Sequence, residues 1–339
     1  MSDGAGRATR PVFATTLAAP RFWLRHGAWL AFALVFAGFS LSSPLFLSPA
    51  NLGNVLQQSA VTGLLAFGLT IVMIGGGADA IRGGLDLSVA ANLGWCAAVF
   101  AVAKRAGHGD AVACALTFAA GAAVGALNAW AVTRLRILPL LATLTTMNLC
   151  AGLELVLTQN TSVAAASPLL DTLLADGPFG VPNLAYALLI AAGLSSALLH
   201  RTPYGLRLHA VGAYRAAAVA SGVDAARYVA SSYLACGLAA ASAALASSAL
   251  LSGSAPGAGD NLLPVVAAVL LGVVFSRRFV PTIPGTLVAV LFVGMLINGF
   301  QLNNVSSDWV NGVEGLLILF VVAATALQRR RQAGGSAHD

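Results

Sequence analysis

Apolar blocks of about twenty residues, separated by short polar and basic segments, recur along nearly the whole chain and restrict it more than any other feature. A helix needs roughly 20 residues to cross a hydrocarbon core of ~30 Å. Backbone groups in lipid must find their partners within their own segment, which makes helices the default. The blocks fall at about 27–47, 55–74, 85–103, 111–133, 137–158, 181–199, 228–251, 262–275, 279–300 and 309–327, which predicts ten crossings. Composition agrees, since 58% of the 339 residues are hydrophobic and 9% charged, too little polar surface to solvate a globule of this size. The expected fold class is an all-α, polytopic helical membrane protein. It consists of one transmembrane domain, 27–327, between a basic tail, 1–26, and a short tail, 328–339.

The placement of charge sets the predicted topology. With both termini in the cytoplasm, every Lys and Arg except Lys104 and Arg105 falls on the inner side, as the positive-inside rule requires. The net charge of +6 is thereby explained without a nucleic-acid partner. The longest outer loop, 159–180, has no Lys or Arg but contains Asp171 and Asp176. The N-terminal tail does not read as a signal peptide, because it is long and no Ala-x-Ala site follows the first apolar block. Cys96, Cys114, Cys150 and Cys236 lie inside apolar blocks without CxxC spacing and read as small core residues.

Two regions break the helical pattern. Five glycines interrupt 75–84, and the eighth block is 14 residues long with Pro264 near its start. Discontinuous helices are therefore expected near 75–88 and 256–284. Broken backbone at membrane depth is tolerated where it is buried in protein or lines a cavity, and paired interruptions in two halves point to a translocation site. The stretch 84–94 is weakly similar to 259–272, and Gly125 to Asn128 to Gly294 to Asn298, which suggests an inverted five-helix repeat. Gly121 and Gly125 form a Gly-x-x-x-Gly that reads as general helix packing.

Catalytic constellations are missing. Lys104 is the single lysine and has no glycine pattern before it, so the chain holds no phosphate-cradling loop and cannot hydrolyse ATP by itself. The histidines have no metal-ligand spacing. Ionisable and amide groups inside the spans carry what chemistry there is. Asp86, after the glycine break, either caps the third span or contacts a solute. Glu154 and Glu314 read as hydrogen-bonded structural groups, or as proton carriers. Asn92, Asn128, Asn148 and Asn298 either bond other helices or line a path suited to a neutral, hydroxyl-rich molecule.

The most ordered polar segment is 200–228, with Arg201, Arg207, Arg215 and Arg227 and one acid, Asp224. Pro203 and Gly205 predict a turn, 213–220 a short helix ended at Gly222, and Asp224 a cap for the next helix. Such a segment is either a docking surface or a solvated basic connector.

These residues resemble the permease subunits of bacterial ABC importers of the ribose, xylose and galactose type, related to branched-chain amino acid permeases. The similarity covers roughly 50–330. It rests on Gly83-Gly-Leu-Asp-Leu-Ser-Val-Ala90, on 138–147, and most specifically on Thr202-Pro-Tyr-Gly-Leu-Arg-Leu-His-Ala-Val-Gly212 followed by Ala216-Ala-Ala-Val-Ala-Ser-Gly-Val223. The chain departs from the pattern at 271–284 and carries an apparent insertion at 75–82. The resemblance implies an inner-membrane importer of a small polar solute, most simply a monosaccharide. It also implies a separate ABC ATPase subunit holding ATP and Mg, an extracytoplasmic binding protein and a second permease, identical or not. In that reading Tyr204, Gly205, Arg207, Gly212, Ser221 and Gly222 belong to the ATPase-coupling loop, and Asp86, Asn92, Asn128 and Asn298 to the solute path. The rivals are an ion-gradient-driven secondary transporter using Glu154 or Glu314, and a non-transporting scaffold or enzyme.

Overall fold

The computed structural model describes residues 20–77, 84–257, 262–276 and 280–306, with isolated positions between 309 and 319. In order the elements are α1 (Pro20–Ser42), α2 (Pro49–Gly76), α3 (Val89–Arg105), α4 (Asp110–Thr133), α5 (Pro139–Thr158), β1 (Val163–Ala164) and α6 (Pro168–Leu174). After a 3-10 turn at Pro178–Gly180 come α7 (Asn183–Arg201), α8 (Pro203–Ala213), α9 (Arg215–Ala220), α10 (Ala225–Leu251), β2 (Gly253–Ser254), α11 (Leu262–Phe275) and α12 (Ile283–Leu302). Six of these, α2, α4, α5, α7, α10 and α12, are long and apolar enough to cross a membrane. The chain is an α-helical, multi-pass membrane protein. Each expected span up to 279–300 falls on a helix, while most of 309–327 lies outside the described residues.

Helix ends follow local chemistry. Ser48 accepts a hydrogen bond from the Asn51 N–H at 3.2 Å, and Pro49 occupies the first turn, where its missing N–H has no cost. Thr282 caps α12 in the same way by accepting from the Gly285 N–H. The third helix begins at Val89 rather than at 85, because Gly84 to Ser88 forms an irregular approach held by side chains. The 159–180 loop is more ordered than its sequence suggests. β1 pairs antiparallel with β2, Val163 opposite Ser254, and a Cβ at Gly253 would overlap the Val163 carbonyl.

α2 is the centre of the bundle. Of its most apolar stretch 89% is buried, against 28% in each of α4, α5 and α7. Helix α10 packs across α4, α2 and α3, while α12 lies along α2 with α11 beside it. Gly121 and Gly125 face the carbonyls of Gly237 and Tyr233, so this pair serves an α4–α10 seam within the chain. Lys104 is neutralised by Asp110 across the α3–α4 connection. Asp110 also accepts from Ser167 Oγ at 2.8 Å and the Leu169 N–H at 3.2 Å, which fastens the start of α6.

Two polar pairs join α2 to α12. Thr70 and Thr286 share a hydroxyl hydrogen bond of 2.8 Å. Asn51 and Asn298 exchange reciprocal amide bonds of 2.8 and 3.0 Å, and Asn51 also donates to the Phe46 carbonyl. Truncating one amide leaves the other without its partner in a buried position. Asn51→Ala and Asn298→Ala should therefore each cost about 1–3 kcal/mol, and the double variant should cost less than the sum. A double-mutant cycle by thermal unfolding in detergent measures both quantities.

Candidate translocation and coupling sites

The break between α2 and α3 carries the densest polar cluster among the described residues. Asp86, 2% exposed, accepts from the Ser88 N–H at 3.0 Å and from Ser88 Oγ at 2.5 Å. Its carboxylate thus serves the entrance to α3, although Ser88 itself holds the cap position. From α4, Asn128 Nδ2 donates to Ser88 Oγ at 2.8 Å and lies 3.3 Å from Asp86 Oδ1. From α5, Thr146 Oγ1 donates to Asn128 Oδ1 at 2.7 Å. The Cys236 thiol of α10 lies against the same carboxylate. Side chains from three helices therefore converge on a stretch of non-helical backbone, and each hydrogen bond offsets part of the cost of burying its neighbour.

The remaining path candidates are also bonded within the chain. Asn92 donates to the Gly121 carbonyl at 3.5 Å, and Asn298 pairs with Asn51. Asn148 instead faces outward from α5, bonding only its own helix at the Leu144 carbonyl. Glu154 is 4% exposed, and its Oε1 has no partner, in contrast to the hydrogen-bonded role expected from its sequence position. Glu314 lies outside the described residues.

The 200–228 segment folds as two short helices, but the first begins earlier than its turn residues suggest. Thr202 caps α8 by accepting from the Gly205 N–H at 3.3 Å, and Pro203 is its first residue. Pro203 and Gly205 are therefore the first turn of a helix rather than a loop. Gly205 is required by proximity, since a Cβ there would run into the Leu199 backbone. Gly212 sits against the Ile74 carbonyl at the end of α2 in the same way. Leu208 and Val211 of α8 and Ala218 of α9 are buried. The Tyr204 hydroxyl pairs with Ser231 Oγ at 2.9 Å, and burial raises that phenol above its ordinary value. Arg207 is exposed and donates to Tyr228 Oη at 3.2 Å. Ser221 bonds the Ala217 carbonyl, Gly222 takes φ +80°, and Asp224 caps α10 by accepting from the Arg227 N–H.

The outward face holds residues that sequence reading passed over: Leu206, Tyr214 and Val219 are 68%, 69% and 55% exposed. They fall off the buried stripe of Leu208 and Val211, and that spacing was the available signal.

A family model described as branched-chain amino acid transport system / permease component matches residues 51–322. The chain belongs to this permease family. Among curated relatives, the permease is 34% identical to the ribose import permease protein RbsC of Bacillus subtilis, over 91% of this chain and 93% of the relative. It is 32% identical to the RbsC protein of Escherichia coli K12, over 88% and 93%. An L-arabinose ABC transporter permease protein, AraH of Azospirillum brasilense, is 27% identical over 91% and 89%. No solved structure matches.

In the permease, the Asp86 cluster should behave as a graded structural network. Thr146→Val removes one interhelical bond and should cost about 0.6 kcal/mol, whereas Asn128→Ala removes donors and acceptor together and should cost about 1–2 kcal/mol. Thermal unfolding of the purified variants in detergent gives the order. Equal losses would show instead that Thr146 acts wholly through Asn128 and that the network is not graded.

Proposed function

We propose that this permease is the transmembrane subunit of an ATP-driven importer that carries a small, neutral, hydroxyl-rich solute, a monosaccharide, inward across a bacterial inner membrane. The observation that carries this reading is the α8–α9 segment. The segment is locked onto α2 and α10 through Gly212, Leu208 and Tyr204, while Leu206, Arg207, Tyr214 and Val219 are exposed on it. Exposed apolar side chains on an ordered, otherwise polar segment suit a protein contact, here with the ABC ATPase that binds ATP and Mg. The relatives named for ribose and L-arabinose import support the solute class.

The proposed topology has ten crossings, arranged as two inverted sets of five, in a single domain with both termini cytoplasmic. A second permease copy and an extracytoplasmic binding protein complete the assembly. The close seat of Gly212 on Ile74 gives ATPase movement a direct handle on the end of α2, and rigid-body gating follows if α8 moves as a unit. Asp86, Asn92, Asn128 and Asn298 in this reading hold the path walls in register. Tyr204, Gly205, Gly212, Ser221 and Gly222 hold the docking segment in shape, and Arg207 faces the ATPase.

The orphaned Glu154 oxygen favours one other reading, proton-coupled secondary transport. Uptake of ribose into vesicles that lack any ATPase, driven by an imposed proton gradient and abolished by Glu154→Gln, would establish it.

The deciding experiment is co-purification with the candidate ATPase. Tyr214→Glu and Arg207→Glu lie on the exposed face and should leave the fold intact while reducing ATPase association at least tenfold. Gly205→Ala should disturb α8 itself by forcing it off the Leu199 backbone. Unchanged association for Tyr214→Glu and Arg207→Glu would reduce the segment to a basic connector.

A further inference from the structure

A cavity of about 130 Å³ lies between α3, the C-terminal end of α10 and residues 253–257, with Leu93, Gly94, Ser247, Ser254 and Pro256 among its walls. We propose that it is a binding subsite for a small uncharged polyol, with the Ser254 hydroxyl as one of its hydrogen-bonding groups. The inference rests on the importer reading and extends it to a place where solute would sit.

Two independent observations carry it. Ser254 is 3% exposed, yet its Oγ has no hydrogen-bond partner. A buried hydroxyl without a partner carries a desolvation cost of about 1–3 kcal/mol, and a ligand hydroxyl in the adjoining cavity would relieve it. Second, the wall from 252 to 257 is non-helical, with φ of +53° at Ser252, +148° at Gly253 and +104° at Gly257. Irregular backbone within a membrane protein belongs where it lines a cavity or is buried in protein. The peptide groups of 252–254 are engaged by β1 and α10, and those of 255–257 lie beyond that pairing.

The lining chemistry selects the ligand class. Every lining residue is uncharged: aliphatic side chains, glycines, Pro256 and two serines. A carboxylate or ammonium group would find no counter-charge there, and burying it unpaired is strongly unfavourable. Sites for drug-sized ligands run to roughly 300–1,000 Å³, so this cavity suits a molecule of monosaccharide size or smaller. Its position fits delivery from outside the cell. α10 has 27 residues, and at 1.5 Å per residue it spans about 40 Å, which puts the cavity at the opposite end from the α8–α9 segment.

The test is thiol protection in membrane vesicles containing the full-length chain with its ATPase. Ser254→Cys is treated with a small neutral methanethiosulfonate in the presence of D-ribose, L-arabinose or L-leucine. Cys96, Cys150 and Cys236 are buried and Cys114 half-buried, so background labelling is read from the wild type. Occupancy slows modification by 1 + [L]/Kd, about threefold when the sugar is at twice its Kd. The proposal expects slowing by a pentose at Ser254→Cys and none at Ser162→Cys, an exposed position outside the cavity. If Ser254→Cys does not accumulate, Ala255→Cys on the same wall gives the same readout. Protection by neither pentose, equal protection at Ser162→Cys, or protection by leucine alone would overturn it. ATPase association is scored on the same vesicles, so failure of the importer reading is distinguished from failure of the cavity assignment.

Discussion

The rule that backbone polar groups in a bilayer must be satisfied from within the protein governs this structure more than any other. A helix meets it automatically, whereas a break such as 84–88 cannot, because each unsatisfied group in hydrocarbon costs several kcal/mol. The chain meets the demand by burying the break and supplying side chains to it. Asp86 accepts from the Ser88 N–H and hydroxyl, Asn128 reaches in from α4, and Thr146 orients Asn128 from α5. The helices that surround α3 are thus fixed by the same network that makes its irregular start possible. A rupture at one member propagates because the others lose partners as well.

This network lies beyond one end of α2, and the α8–α9 segment lies against that same end. Gly212 meets the Ile74 carbonyl, and a Cβ at Gly84 would meet the carbonyl of Val72, so the last turn of α2 is gripped from both sides by close backbone contact. Contacts of this kind leave no soft side chain to absorb displacement. The proposed coupling rests on this close backbone contact between α8, the end of α2 and the approach to α3. Packed interiors respond to small shifts by rearranging between discrete arrangements rather than deforming continuously.

The helical, multi-pass character was legible in the sequence, since hydrophobic block length reports directly on the membrane constraint. The spans at 111–133, 137–158 and 262–275 coincide closely with α4, α5 and α11. Legibility failed where local preference and tertiary contact diverge. Pro203 and Gly205 carry turn signals, yet Thr202 is a cap and Gly205 is small because Leu199 lies against it. The β1–β2 pairing joins residues about ninety positions apart, a relation that no local pattern encodes. Asn92, Asn128 and Asn298 were recognisable as buried polar groups, but their partners in Gly121, Ser88 and Asn51 depend on helix packing. The exposed position of Leu206, Tyr214 and Val219 was carried only by their spacing off the Leu208 and Val211 stripe, a weak signal in helices as short as α8 and α9.

The interior also argues about solute chemistry. Among the described buried polar residues the charged groups are Asp86 and Glu154, and neither Lys nor Arg is present; the others are Ser, Thr and Asn. An anionic or zwitterionic solute crossing such an interior would shed its hydration without meeting a cation, and the uncompensated charge would dominate its barrier. A neutral solute with several hydroxyls faces a different balance, because each hydrogen bond lost to water can be exchanged for one to a serine, an asparagine or a free peptide group. The family description names branched-chain amino acids, whereas the relatives that cover about nine-tenths of this chain include ribose, L-arabinose and autoinducer 2 import permeases. Among the described buried residues there is no Lys or Arg to hold the carboxylate that every amino acid carries, which is consistent with the proposed neutral solute.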